Sequence, residues 1–196
     1  AVDVRLGVKA TPEGLAPEDY DVIIAALGAK PKLPPIPGAE RCRSIFETFG
    51  REAELGARCV VIGGSESGTE AAMYLAENGH DVTILTRQSG LALDATPIHY
   101  RETMQEFYAG LDRFHPIFRA TATQVGEGFV EYRDETESLR RVACDSVVAL
   151  GGMRPLQTEA MAFDACARDF YMIGDCRQVG DLHTGSRAAY AVTHQF

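Results

Sequence analysis

Residues 58–87, RCVVIGGSESGTEAAMYLAENGHDVTILTR, constrain the fold of this chain more than any other stretch. Cys59 to Ile62 is a short apolar run suited to a buried parallel strand, and it stops at Gly63-Gly64-Ser65-Glu66-Ser67-Gly68. From Glu66 onward, Gly68, Ala71, Ala72, Leu75 and Ala76 recur at helical spacing, and Asn78-Gly79 supplies a left-handed helix end. Val82 to Leu85 then returns as a second apolar strand. The order is strand, glycine-rich turn, helix, strand.

Such a turn leaves backbone N–H groups at a helix N-terminus without intrahelical partners, and the helix dipole adds partial positive charge there. A pyrophosphate satisfies both. Gly63 permits the tight turn and Gly68 lets the helix lie close to the strand, but Ser65 stands where G-x-G-x-x-G has its middle glycine. Its Cβ falls where the backbone is expected to approach phosphate. The plainer alternative is that the glycines only shape a strand-to-helix turn. An acidic residue about 20 positions after the glycines ordinarily holds the ribose of NAD, whereas arginine accommodates the 2′-phosphate of NADP. The second strand ends Leu85-Thr86-Arg87, without a carboxylate, which favours NADP(H) over NAD(H). The alternative for Arg87 is a solvated surface charge, and Asp81, at the other end of the strand, reads as a turn residue.

With 196 residues, 45% of them hydrophobic, the chain has enough apolar material for one large or two small domains. A net charge of −9 argues against a nucleic-acid or anionic-membrane surface, which would require a basic field. No apolar run approaches the roughly 20 residues that span a bilayer, so a cytoplasmic location is the default expectation. Cys42, Cys59, Cys144, Cys166 and Cys176 are scattered and never in C-x-x-C spacing. They indicate neither a disulfide framework nor a metal site nor a redox-active pair.

Along the chain, Ala1 to Leu6 alternates like a strand, and Val22 to Leu27 reads as a buried strand ending at Gly28. Ala29 to Gly38 is a proline-rich connector, expected to cross between domains outside any sheet. Ser44 to Leu55 includes a short helix, and Gln88 to Ala95 a loop. Thr96-Pro97 starts a helix on which Tyr100, Met104, Phe107 and Tyr108 share a core face. Leu111 to Ser146 reads as an antiparallel meander feeding a buried strand, Val147 to Leu150. Ala26-Leu27-Gly28-Ala29-Lys30-Pro31 corresponds to Ala149-Leu150-Gly151-Gly152-Met153-Arg154-Pro155, as two paired crossings would. Finally, Phe170 to Ile173 forms a strand ending at Gly174-Asp175, and a helix starts near Thr184 with Gly185, Ala188, Ala189, Val192 and Phe196 on one face. The alternative for Gly174-Asp175 is a turn with a capping aspartate. The five histidines show no ligand spacing, and no catalytic or metal-binding residue is expected here.

Four motifs, YDVIIAALGAKP, VVIGGSESGTEAAMYLAENGHDVTIL, DSVVALGGMRPL and FYMIGDCRQVGDLHTGSRAAYA, resemble in order the C-terminal part of the multidomain flavin reductases. That family includes 2,4-dienoyl-CoA reductase, 2-enoate reductase and trimethylamine dehydrogenase, built on the pyridine nucleotide-disulfide oxidoreductase fold. The resemblance covers nearly the whole chain. It implies an α/β fold: a Rossmann-like NAD(P)-binding domain with a three-layer parallel sheet and antiparallel meander, inserted in a partial FAD-type dinucleotide domain. Residues 1–37 are then the first segment of the FAD-type domain, 38–147 the inserted NAD(P)H domain, and 148–196 the return segment with a C-terminal helix.

The same resemblance implies that Gly63, Gly64, Ser65, Glu66 and Gly68 hold the nicotinamide dinucleotide; Arg87, from its place at the strand end, and Gly151 are also expected to bind cofactor. Gly28, Gly174 and Asp175 would line FAD, with Asp175 near its ribityl and phosphate portion and Thr184 near the flavin pyrimidine edge. The family's FAD fingerprint has no counterpart before Val22, so the chain reads as a fragment. FMN, an iron–sulfur cluster and a catalytic barrel are expected upstream in the same full-length chain. The implied activity is transfer of hydride from NAD(P)H to FAD, serving reduction of an activated alkene. The alternatives are a domain that binds ADP or another nucleotide without turnover, and a structural domain that docks the barrel.

Overall fold

The periodicities of the sequence resolve into twelve strands and five helices in a computed structural model that describes residues 2–15, 19–95 and 98–195. In chain order these are α1 (Pro12–Leu15), β1 (Val22–Ala25), β2 (Ala29–Pro31), β3 (Arg43–Ser44), β4 (Arg58–Ile62), α2 (Glu66–Glu77) and β5 (Asp81–Leu85). There follow α3 (Ile98–Ala109), β6 (Phe114–Ile117), β7 (Thr121–Gly126), β8 (Phe129–Arg133), β9 (Leu139–Ala143) and β10 (Ser146–Ala149). The last are β11 (Met153–Pro155), α4 (Gln157–Met161), β12 (Asp169–Met172) and α5 (Leu182–Thr193). Two compact units result: Pro31–Gly152, and the segment up to Lys30 together with that from Met153 onward.

The larger unit is built on a five-stranded parallel sheet in the order β3-β10-β4-β5-β6. Alternation along β4 divides the core. Cys59 and Val61 face α2, whose Ala71, Ala72 and Leu75 are fully buried against Val82, Ile84 and Val148. Val60 and Ile62 face the other way and pack with Leu85, Val147 and Ala149 against Val125 and Val130 of the meander β7-β8-β9. Helix, parallel sheet and antiparallel meander are thus three layers, each unable to bury its apolar face without the next.

Several expectations are corrected here. The meander starts at β7, because β6 pairs in parallel with β5 and closes the edge of the main sheet. The short helix within Ser44 to Leu55 is present as two single-turn 3-10 helices, Ile45–Glu47 and Glu52–Glu54. On α3, Met104 is buried but Phe107 is largely exposed, so the aromatic stripe is only partly core. The Thr96-Pro97 helix start lies outside the described residues.

In the smaller unit β1 pairs in parallel with β12, and Ala25, Ala160 and Cys176 form a small core. Of the run Val22 to Leu27 only Val22–Ala25 is strand, and it is half-buried: a two-stranded sheet leaves Ile24 open to solvent, and Leu27, beyond the strand, is exposed as well. The connector also contributes a strand, since β2 pairs with β11 before the prolines end it. Val2, Val4 and Leu6 are exposed and form no strand, because alternation makes a strand only where a sheet edge accepts it. Helix α5 begins at Leu182 with Asp181 as N-cap, two residues before Thr184. Of its expected apolar face Val192 is buried while Gly185, Ala188 and Ala189 are half-covered, and Phe196 lies outside the described residues.

Candidate functional site

From β4 the chain runs to β5 and β6 on one side, while β10 lies on the other, so the strand order, though not the strand direction, reverses between β4 and β10. Open α/β sheets bind ligands beyond the carboxyl ends of their strands at such a switch point. A cavity of about 460 Å³ lies there. Its walls are Ile62 to Ser65 after β4, Leu85 to Gln88 after β5, Leu150 to Gly152 after β10, and the connector prolines Pro34 and Pro35 with Ile36.

The glycines are explained one by one by what surrounds them. Gly63 has φ 117°, a conformation that L side chains rarely adopt, and its N–H donates to Leu85 O at 3.0 Å. Gly64 lies against Thr86 and Leu91: an added Cβ would come within 2.6 Å of Thr86 Cβ. Gly68 brings α2 onto the turn, for a Cβ there would stand 2.1 Å from Gly63 O. A Cβ on Gly151 would stand 2.5 Å from the backbone of Leu33. These glycines seat helix, turn and connector against one another, and the shape of the cavity follows from that seating.

Ser65 does not obstruct the turn. With extended backbone it is the N-cap of α2, its Oγ accepting from Gly68 N–H at 3.4 Å and its carbonyl from Thr69 Oγ1 at 2.8 Å. The serine three residues ahead of Gly68 was the sequence signal for this role. Thr69 is fully buried beneath it.

Gly63, Gly64, Ser65, Arg87 and Gly151 therefore line one cavity, with Glu66 and Gly68 in the first turn of the adjoining helix. Arg87 is exposed and is the cavity's charged lining residue; no carboxylate lines it, and among the described residues Arg87 has no ion-pair partner. Asp81 pairs instead with His115, Oδ1 to Nε2 at 2.8 Å. Sequence reasoning missed Thr86, which is buried, accepts from Gln88 N–H through Oγ1 and bonds to Ile117 and Ala120 through its backbone. It also missed Asp94, whose Oδ1 accepts from Glu66 N–H at 2.9 Å.

The other predicted residues lie in the smaller unit. Gly28 and Gly174, at φ 77° and 62°, follow the parallel pair β1 and β12, so both turns leave the same end of that sheet. Asp175 Oδ1 accepts from Gly180 N–H at 3.2 Å. Thr184 donates through backbone N–H (2.7 Å) and hydroxyl to Asp181 Oδ1, and these bonds hold the Asp181 carboxyl below the usual carboxylate range.

Among the described residues no cluster of three or more His, Cys, Asp or Glu is placed to hold a metal, and no helix is long and apolar enough to cross a membrane. All five cysteines are free thiols. Burial pushes Cys42 and Cys59 up to about 11 and raises Cys144 as well. In the native chain at pH 8, Cys59, Cys144 and Cys176 are expected to resist Ellman's reagent and to react on unfolding in guanidinium. Rapid native labelling of Cys59 would contradict the buried thiol described here.

A parallel sheet with a glycine turn, a capped helix N-terminus and a cavity at the switch point defines a dinucleotide-binding α/β protein of Rossmann type. The chain belongs to the pyridine nucleotide-disulphide oxidoreductase family, whose model matches residues 7–190. It is 39% identical over 116 residues to an NADH oxidase of Thermoanaerobacter brockii, covering 54% of this chain and 17% of that protein. Cinnamate reductase of Clostridium sporogenes is 26% identical over 197 residues, 97% of this chain and 29% of that one. Among solved structures, a 2-naphthoyl-CoA reductase in complex with 2-naphthoyl-CoA superimposes with TM-score 0.87 at 28% identity, over 95% of this chain and 28% of that one. The chain thus spans less than a third of the length of these relatives.

Proposed function

We propose that residues 31–152 are the NADP(H)-binding domain of a multidomain flavin oxidoreductase of the enoate or 2,4-dienoyl-CoA reductase type. The segments on either side contribute to an FAD-type domain. The observation that carries this reading is the switch-point cavity, which joins a glycine turn at a helix N-terminus to an arginine with no carboxylate beside it. When bound, NADPH and FAD supply the hydride chemistry, and the protein positions them.

In this reading the turn 63–68 and the dipole of α2 hold the pyrophosphate, and Gly151 forms part of the cavity wall. Arg87 takes the 2′-phosphate through charge-assisted hydrogen bonds. Gly28, Gly174 and Asp175 border FAD at the ends of β1 and β12, and the first turn of α5, Leu182 to Thr184, favours negative charge on the flavin ring. The catalytic barrel, FMN and the iron–sulfur cluster belong to the rest of the longer polypeptide, as do the determinants of the final substrate.

Calorimetric titration of the 196-residue chain with NADPH, NADH and ADP tests the reading. Binding of NADPH in preference to NADH is expected. Arg87→Ala should weaken NADPH binding about 30-fold, the size of a lost charged hydrogen bond, and leave NADH within about twofold. Equal losses for both would sink the role of Arg87. The second reading is a domain that holds ADP without turnover, which would use the same turn and α2 N-terminus for its pyrophosphate. Failure of NADPH to reduce FAD added to a chain that binds both would decide for it.

A further inference from the structure

The turn assigned above to the pyrophosphate is not left open by the chain. A helix N-terminus leaves four N–H groups without intrahelical partners. At α2, Gly68 N–H is taken by Ser65 from within the turn, while Glu66 N–H, on the first helical residue, is taken at 2.9 Å by Asp94 Oδ1. Asp94 reaches this donor from the loop after β5, 28 residues further along the chain.

That loop is fastened to the glycine turn at a second place. Ala92 N–H donates to Gly64 O at 2.8 Å, and Leu91, 3% exposed, puts Cδ2 only 2.9 Å from where a Cβ on Gly64 would lie. Ala92 itself is 1% exposed and has φ 51°, a left-handed conformation unfavourable to alanine. Burial of Leu91 and Ala92 holds the loop in this shape, and the shape returns Asp94 over the helix end. Asp94 itself is exposed, so its carboxylate can leave without disturbing the core.

A carboxylate on a helix N-terminal N–H has the chemistry of a bound phosphate: an anion accepts the backbone donor and is stabilised by the dipole. Two anions do not share that donor. We propose that Asp94 is a built-in competitor for the dinucleotide phosphates, holding Glu66 N–H in the free chain and expelled when cofactor takes that donor. This rests on the reading of the 63–68 turn as a nicotinamide dinucleotide site. Its effect is to weaken every phosphate-bearing ligand by a similar factor and to leave a ligand without phosphate untouched, which speeds release of spent cofactor.

The test is calorimetric titration of the full chain and of Asp94→Asn and Asp94→Ala with NADPH, ADP and adenosine at low ionic strength. Asparagine keeps an oxygen for Glu66 N–H without the charge, and alanine removes both, so the first variant retains the cap if the second unfolds. NADPH and ADP should bind Asp94→Asn about tenfold more tightly than the wild type, a gain that shrinks as salt is added, while adenosine binding stays unchanged. If the wild type binds NADPH and Asp94→Asn binds it no more tightly, or if adenosine gains equally, the competitor role is overturned and the site assignment stands. Absence of NADPH and ADP binding in all three proteins would overturn the site assignment itself, and the competitor with it.

Discussion

Replacing Gly68 with alanine is expected to lower the stability of the larger unit by about 3 kcal/mol and to abolish measurable nucleotide binding. The new Cβ would lie 2.1 Å from Gly63 O and 3.0 Å from its carbonyl carbon, contacts with backbone that no rotamer change relieves. Gly63 cannot retreat easily, since it is held at φ 117° by its hydrogen bond to Leu85 O. The helix would have to tilt outward, lifting Ala71, Ala72 and Leu75 from their places against Cys59, Val61 and Val82. Urea unfolding gives the stability and calorimetry with NADPH the binding. A change below about 1 kcal/mol would mean that the turn is far more compliant than this packing requires.

A loss of similar size, about 3 kcal/mol, is expected for Gly38→Ala. Gly38 has φ 80°, and a Cβ there would fall 1.8 Å from Val125 O in strand β7. One residue earlier, Pro37 O accepts from Val125 N–H at 2.9 Å, so the connector is stitched to the meander at this point. Pro34, Pro35 and Ile36, just upstream, form one wall of the cavity. The variant should therefore unfold at lower urea and bind nucleotide more weakly, although the residue touches no ligand. Unchanged binding in a destabilised Gly38→Ala chain would show that the connector wall is not needed for recognition.

These two glycines mark the limit of what could be read along the chain. Gly68 was legible because its neighbours supply a local pattern: an apolar strand before it, a helix of small residues after it, and fixed spacing between. Gly38 was read as connector punctuation, because the atom that excludes its side chain belongs to Val125, 87 positions later. The cavity wall formed by Pro34 to Ile36 and the Asp94 contact were invisible for the same reason: each is made by residues with no periodic relation to their partners. Ser65 differs: the glycine pattern sets its side chain against a ligand, and the structure adds a partner from its own helix, Gly68 N–H. Val2 to Leu6 form no strand because alternation reports a preference for a sheet edge and says nothing of whether an edge is there.

The placement of β10 also matters before the protein exists as a finished molecule. Ser146 to Ala149 runs between β3 and β4, so one of the innermost strands of the sheet is the last of that sheet to leave the ribosome. Until it emerges, β4 presents a bare ladder of Cys59, Val60, Val61 and Ile62 to the surrounding solution, and β3 has nothing to pair with. Closure over so long a separation is entropically slow, which makes the nascent polypeptide, rather than the mature one, the form most exposed to aberrant strand pairing. The meander made just before β10 shortens that interval: once β7, β8 and β9 have folded locally, the chain between Phe114 and Ser146 is already compact, and the missing strand has little distance left to travel.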